Sequence, residues 1–402
     1  MSRTIQIVFS ASVVIAAALY QLILKDFIFV SFGAGRVIQP IEDFPYNCRR
    51  LTHERLEDCE DIWLDAEKRV LYAACTGTDH RIGWNQAIDR LNASARRPGD
   101  GELIALDIDS PGSDGLYNLR VIKPVGYVGA TGGSDKSIDF VGFGAQVVDS
   151  KTLQFYFVNQ RPPVDSTLKI LTGLEKTGAN STIDVFELKR GKNEMRHLRT
   201  VFSDQVWSPN RVATLGDGAF LATNDHSRKV GFRKRFDPFL GGGNVAYCSS
   251  TGKCHAASAS LTFPNGLTQG KDGLIYVPSS VDGKVLVFSL NPETKKLDLV
   301  DSIELKMPLD NLAVDQNGDI YAAGFPNLLR MLKFFHSPYD NPAPSTILRI
   351  RKVGTTYEVS KVLEDKEGKI LSGITTVVHD AKTGRLWLGA VLSPYIVTCD
   401  PK

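Results

Sequence analysis

An apolar strand, a turn rich in Asp, Asn and Gly, and a second apolar strand recur in phase along almost the whole chain, and a repeat of this kind leaves few folds open. Six copies are legible, at residues 60–65 with 71–74, 144–149 with 155–158, 210–215 with 220–223, 265–268 with 274–277, 311–315 with 320–323, and 374–378 with 386–389. Further hairpins lie between them, such as 284–290 with 297–300 and 347–350 with 357–360. Four strands per unit, six units and almost no helical periodicity after residue 45 predict an all-β chain folded as a six-bladed β-propeller. A pair of β-sandwiches accounts for it less well, because sandwiches do not require the strands to repeat in phase.

The first thirty residues break this pattern. Arg3 precedes an almost uncharged run, 5–24, followed by Lys25, Asp26 and a second apolar patch, 27–32. Twenty apolar residues are about enough to cross a bilayer, so residues 1–34 are expected to be a hydrophobic helix acting as a signal anchor, with the propeller spanning 35–402. The small residues Ala16, Ala17 and Ala18 leave cleavage as a signal peptide open. Sequons at Asn92 and Asn180 fit a glycoprotein of the secretory pathway, anchored at the endoplasmic reticulum or cell surface, or secreted. The formal net charge of +2, with 23% charged residues, gives no electrostatic footprint for nucleic acid.

Six cysteines in an exported chain read first as disulfides. Cys48 and Cys399 stand at the two ends of the repeat region, where a bridge would close a ring. Cys248 and Cys254 flank a hairpin-turn composition. Cys59 and Cys75 lie symmetrically about a turn near Ala66 and Glu67, and either face each other across two strands or remain buried thiols.

In a propeller the first strand of each blade lines the central channel, so equivalent strand starts converge at one face of the hub. Those starts carry Glu60 and Asp61, Asn210, Asn265, and Asp310 with Asn311, a set of side-chain oxygens without Cys or His. Mixed carboxylate and amide oxygens suit Ca²⁺ and disfavour zinc. Any one Asx at a strand start is ordinarily a turn residue; four blades agreeing in phase is not explained that way.

At these positions the chain resembles the calcium-dependent paraoxonase/arylesterase family of lactone and ester hydrolases. The resemblance runs from about residue 35 to the end, through 36–40 ahead of Cys48, 208–213 with 222–226, 263–267, 309–315, and 325–327 with 341–350, to Cys399. It implies a six-bladed propeller, a disulfide between its ends and a retained N-terminal hydrophobic segment. It also implies a catalytic calcium held by Glu60, Asn210, Asn265, Asp310 and Asn311, and a small apolar ester or lactone as substrate. Two departures stand out. The family's second, structural calcium uses the Asp beside the Glu and an Asp after the blade-three Asn; that second position is Arg211 here, which predicts an Asp61–Arg211 ion pair and at most one calcium. The family's histidine dyad aligns with Phe143 and Gln160, neither of which is a base near neutral pH.

A calcium-dependent hydrolase lacking that dyad needs another group to activate water, and His226, in a loop beside the channel mouth, and Asp310 are the candidates. The alternative is a non-catalytic, calcium-stabilised propeller that binds a ligand or protein at the channel face. Two loops complete the expectations. Residues 328–335 mix large apolar side chains with cations and are expected on the same face, dipping into lipid, lining an apolar pocket, or packing as a cover. The arginine-bearing stretch 80–100 reads as an exposed insertion.

Overall fold

Period-two alternation of apolar side chains commits each repeat to a hairpin, and all six predicted strand pairs form as antiparallel ladders. The computed structural model describes residues 3–129 and 136–402 and has the all-β architecture of a β-propeller. Four sheets have four strands each. A fifth has eight, in two antiparallel runs joined where Arg120–Val125 meets Glu194–Val201 in parallel. Neighbouring sheets pack face to face through apolar side chains, with Trp387, Phe155, Phe157 and Phe220 fully buried between them.

The ring closes with the first propeller strand, Tyr46–Leu51, paired to the last, Ile396–Pro401, in the same sheet as Ile374–His379 and Leu386–Ala390. Cys48 and Cys399 are opposite each other in that ladder and disulfide-bonded; Cys59–Cys75 and Cys248–Cys254 are also bridged. The open alternative for Cys59 and Cys75 is thereby decided in favour of a disulfide.

The N-terminal segment is helical from Arg3 to Leu19, then passes into wider helical turns at Tyr20–Leu24 and Phe27–Ser31. Among the described residues no helix is long and apolar enough to cross a membrane. The wide turns end the regular helix after 17 residues, short of the roughly 20 that a bilayer core needs.

One expectation is corrected. The stretch 80–100 is not an exposed insertion: it begins inside the helix Thr78–Gly83, and Arg81 and Trp84 are buried. Arg81 Nε donates to Asp58 (2.9 Å) and Nη1 to Asp139 (3.2 Å), and Arg96 Nε donates to the other Asp139 oxygen (2.6 Å). Charged heads paired in this way remove the cost that made exposure the simpler expectation.

Candidate functional site

The innermost strands start at one end of the hub, where Glu60 and Asn265 precede their strands and Asn210, Asp310 and Asn311 are in the first residues of theirs. Glu60, Asn210, Asn265 and Asp310 all line a single cavity of about 380 Å³. Asn311, next to Asp310, is 1% exposed behind them, its Nδ2 donating to Thr376 (2.8 Å). It reaches this position because residue 266 is glycine: a Cβ there would sit 1.7 Å from Asn311 Oδ1.

Two buried oxygens at this spot, Asp310 Oδ1 and Asn311 Oδ1, have no hydrogen-bond partner among the described residues. Orphaned buried oxygens are costly and ask for a donor or a cation. The electrostatics point the same way. Burial, aided by Asp58, Asp61 and Asp225 against the opposing pull of Arg81, pushes the Glu60 carboxyl up to about 8. Burial and then Glu60 drive Asp310 well above the ordinary carboxylate range. A divalent cation among these oxygens would reverse both shifts. Among the described residues no three His, Cys, Asp or Glu side chains cluster as metal ligands, and the set here, two carboxylates with three amides, is not of that type. Its donors fit a hard, oxygen-seeking ion.

Beside these oxygens, Asp61 accepts from Arg211 at Nε and Nη2 (both 2.8 Å), and Arg211 Nη1 also donates to the Leu312 carbonyl. This is the ion pair expected from the sequence. Phe143 N donates to Asp61 as well (2.9 Å).

The two positions matched to a histidine dyad part company. Gln160 lines the cavity, its amide donating to the Pro209 carbonyl (2.8 Å). Phe143 does not: its ring packs on Phe155 and Phe157. Val141, two residues earlier, faces the cavity instead. The pairing of Phe140–Asp149 with Thr152–Arg161 shifts register between Phe140 and Phe143, and such an irregularity re-aims side chains in a way alternation cannot foresee.

His226 lies one layer behind the cavity. Its ring packs edge-on to Phe263 (centroids 4.4 Å apart), and Nδ1 is 2.8 Å from Asp225 Oδ1. Asp225 is the member of that pair that lines the cavity. Ser208 Oγ donates to it (2.5 Å). Although burial works the other way, His226, Lys234 and Ser208 hold the Asp225 carboxyl below the ordinary range. Sequence reasoning noticed the loop but passed over Asp225; its adjacency to His226 was the available signal.

The remaining walls are apolar apart from Asn85 and Ser280. Helix Leu328–His336 buries Met331 and Phe334 against the propeller and turns Leu328, Leu332 and Phe335 to the cavity, so it is at once a packed cover and a pocket wall. Among the described residues lining the cavity there is no His, Lys or Arg. The site combines a polar floor able to hold a cation with a large apolar chamber, in the size range of small-molecule sites (roughly 300–1,000 Å³).

A family model described as Arylesterase matches residues 164–400. The chain is 27% identical over 231 residues to serum paraoxonase/arylesterase 1 of Mus musculus, covering 56% of this chain and 63% of that protein. It is 30% identical over 215 residues to serum paraoxonase/arylesterase 2 of Gallus gallus (52% and 59%) and 26% identical over 217 residues to serum paraoxonase/lactonase 3 of Oryctolagus cuniculus (52% and 59%). The match thus spans about three-fifths of the length of these relatives.

Proposed function

The chain belongs to the arylesterase family, and from that premise we propose that it hydrolyses carboxylic esters or lactones in the apolar cavity, with one calcium ion held by Glu60, Asn210, Asn265, Asp310 and Asn311. The observation that carries this reading is the convergence of four of those five residues on one cavity whose floor holds the unpartnered oxygen of Asp310. When bound, calcium would supply positive charge to polarise a carbonyl oxygen.

The chain's own residues do the rest. The apolar chamber takes up the uncharged substrate and excludes water from all but the polar floor. A water oxygen adds to the carbonyl carbon as a carboxylate takes one of its protons, the bond to the leaving oxygen breaks and that proton passes to it, and the carboxylic acid formed releases the second proton to solvent to leave a carboxylate. Asp310 and Asp225 are the cavity-lining carboxylates able to take the proton from water; Ser208 and His226 fix the orientation of Asp225. His226 therefore acts, in this reading, through Asp225.

Several further parts of the proposal have separate support. Treating the two antiparallel runs of the eight-stranded sheet as separate units gives six blades, consistent with one propeller over 35–402. A second calcium is redundant because Arg211 already neutralises Asp61. Three disulfides favour an oxidising, secretory compartment. The hydrophobic segment 1–34 supports membrane association.

The second reading, a calcium-stabilised binding module, draws on the absence of a histidine among the described residues lining the cavity. Hydrolysis of a panel of aryl esters and aliphatic lactones, with and without chelator, in the wild type and Asn265→Ala decides between them. Turnover lost with chelator and with Asn265→Ala supports the hydrolase; a calcium-dependent rise in Tm without any turnover supports the binding module.

A further inference from the structure

The wall of the chamber is completed by a part of the chain outside the propeller and outside the family match at 164–400. Phe27 and Phe32, at the end of the N-terminal helical segment, both line the cavity. Phe27 stacks on Phe239, another lining residue, with ring centroids 4.4 Å apart and planes 17° from parallel.

This end is strapped down. Ser31, fully buried, donates its hydroxyl to the Val281 carbonyl (2.8 Å). The Arg36 guanidinium spans the junction: it donates to the Phe29 (3.1 Å) and Val30 (2.9 Å) carbonyls of the helical turn, and to the carbonyls of Pro326 (2.5 Å) and Lys306 on the propeller. The return from the turn to Arg36 uses Gly33 at φ +69°, where a Cβ would fall 2.3 Å from the Pro326 carbonyl oxygen. One side chain thus ties the turn to the propeller through four acceptors, two on each side.

We propose that this N-terminal turn is a specificity element: Phe27 and Phe32, held in place by Arg36, form the far wall of the chamber and select uncharged substrates with a long apolar acyl portion over short-chain ones. The proposal deepens the hydrolase reading and rests on it for the identity of the substrate. Its charge selectivity follows from the lining, in which Glu60, Asp225 and Asp310 meet no basic side chain among the described residues. Three carboxylates against one divalent cation leave the lining net negative, which disfavours an anionic ligand, whereas a neutral chain buries apolar surface against Phe27, Phe239 and Leu332. Phe27 and Phe32 determine specificity by contact; Arg36 is a positioning residue.

The test compares kcat/KM for 4-nitrophenyl octanoate and 4-nitrophenyl acetate, which share a leaving group. In the full-length protein, Phe27→Ala is expected to lower the octanoate-to-acetate ratio about tenfold, the scale of one aromatic contact, and Phe27→Leu to restore most of it. Arg36→Ala should lower the ratio through KM for octanoate. Phe29→Ala, on the same turn but exposed, should leave the ratio unchanged. A wild-type ratio in folded Phe27→Ala overturns the proposal.

If the wild type turns over neither these esters nor any aryl ester or aliphatic lactone of the panel, the hydrolase reading fails separately, and the wall is then read by dye binding. Saturable binding of neutral N-phenyl-1-naphthylamine, weakened about tenfold by Phe27→Ala and not matched by anionic 1-anilinonaphthalene-8-sulfonate, supports the wall. Equal binding of both dyes, or indifference to Phe27→Ala, overturns it.

Discussion

Arg211 and Asp61, 150 positions apart in sequence, meet side by side at the hub through two parallel hydrogen bonds of 2.8 Å, with Asp61 fully buried and Arg211 nearly so. A bidentate pair of this kind fixes the relative positions of two innermost strands, Asp61–Asp65 and Pro209–Thr214, and a bond from Arg211 to the Leu312 carbonyl adds a third. Removing one partner strands a buried charge. Arg211→Ala or Asp61→Asn should each cost about 3–5 kcal/mol in urea unfolding. Arg211→Met with Asp61→Leu, which removes both charges, should cost less than either single change. A loss below about 1 kcal/mol for both single variants would show that the pair is not the hub's clamp.

That pair was legible in advance through the resemblance, which puts Arg211 beside Asp61 where the family holds a second calcium, on strand starts that the repeat brings together at the hub. The same reasoning brings Glu60, Asn210, Asn265 and Asp310 to one cavity. What was not legible breaks phase. The irregularity after Phe140 takes Phe143 away from the cavity and turns Val141 to it. The strand ends at Asn224, so alternation does not tell which of Asp225 and His226 faces inward. Phe27 comes from a segment with no repeat at all, and only tertiary packing could bring it to Phe239.

The Cys48–Cys399 bridge closes a loop of 351 residues, while Cys248–Cys254 closes one of six. If disulfides act mainly by restricting the unfolded chain, loop length sets their relative worth. Cys48→Ala with Cys399→Ala should then destabilise by about 5–6 kcal/mol, and Cys248→Ala with Cys254→Ala by about 2 kcal/mol. Chemical denaturation of the two double variants checks the order. Equal losses would mean that local packing, not chain entropy, decides.

Glu60 links stability to pH with a definite sign. Its folded pKa, about 8, lies above its unfolded value near 4.5, so the native state holds the proton more tightly. The stability this contributes is fully present below about pH 4.5 and is lost as pH rises through about 8, a change on the order of a few kcal/mol. Metal-free wild type should therefore lose stability relative to Glu60→Gln between pH 5 and 8. Calcium, which needs the ionised carboxylate, should bind more tightly over the same interval and oppose the loss. Parallel stability curves for the two proteins across that range would remove Glu60 from the account.

The last prediction turns on Val141. By resemblance, a histidine dyad belongs at the positions matched to Phe143 and Gln160, yet only Gln160 faces the cavity, and Val141 is the residue of that strand that accompanies it. Phe143 is 1% exposed among Phe155 and Phe157, where an imidazole would lose aromatic packing and find no water to activate. If a positioned base is what limits ester hydrolysis here, Val141→His with Gln160→His should raise kcat by about 100-fold or more, the usual worth of general-base catalysis. Phe143→His with Gln160→His should raise nothing and should lower Tm. The rise should carry a new ionisation near pH 6.5 in the kcat profile, the ordinary range of an exposed imidazole. A gain from the Phe143 pair instead would mean that the register read from this strand is wrong by two residues. No gain from either would locate the limitation elsewhere, with Asp225 and Asp310 already supplying the base.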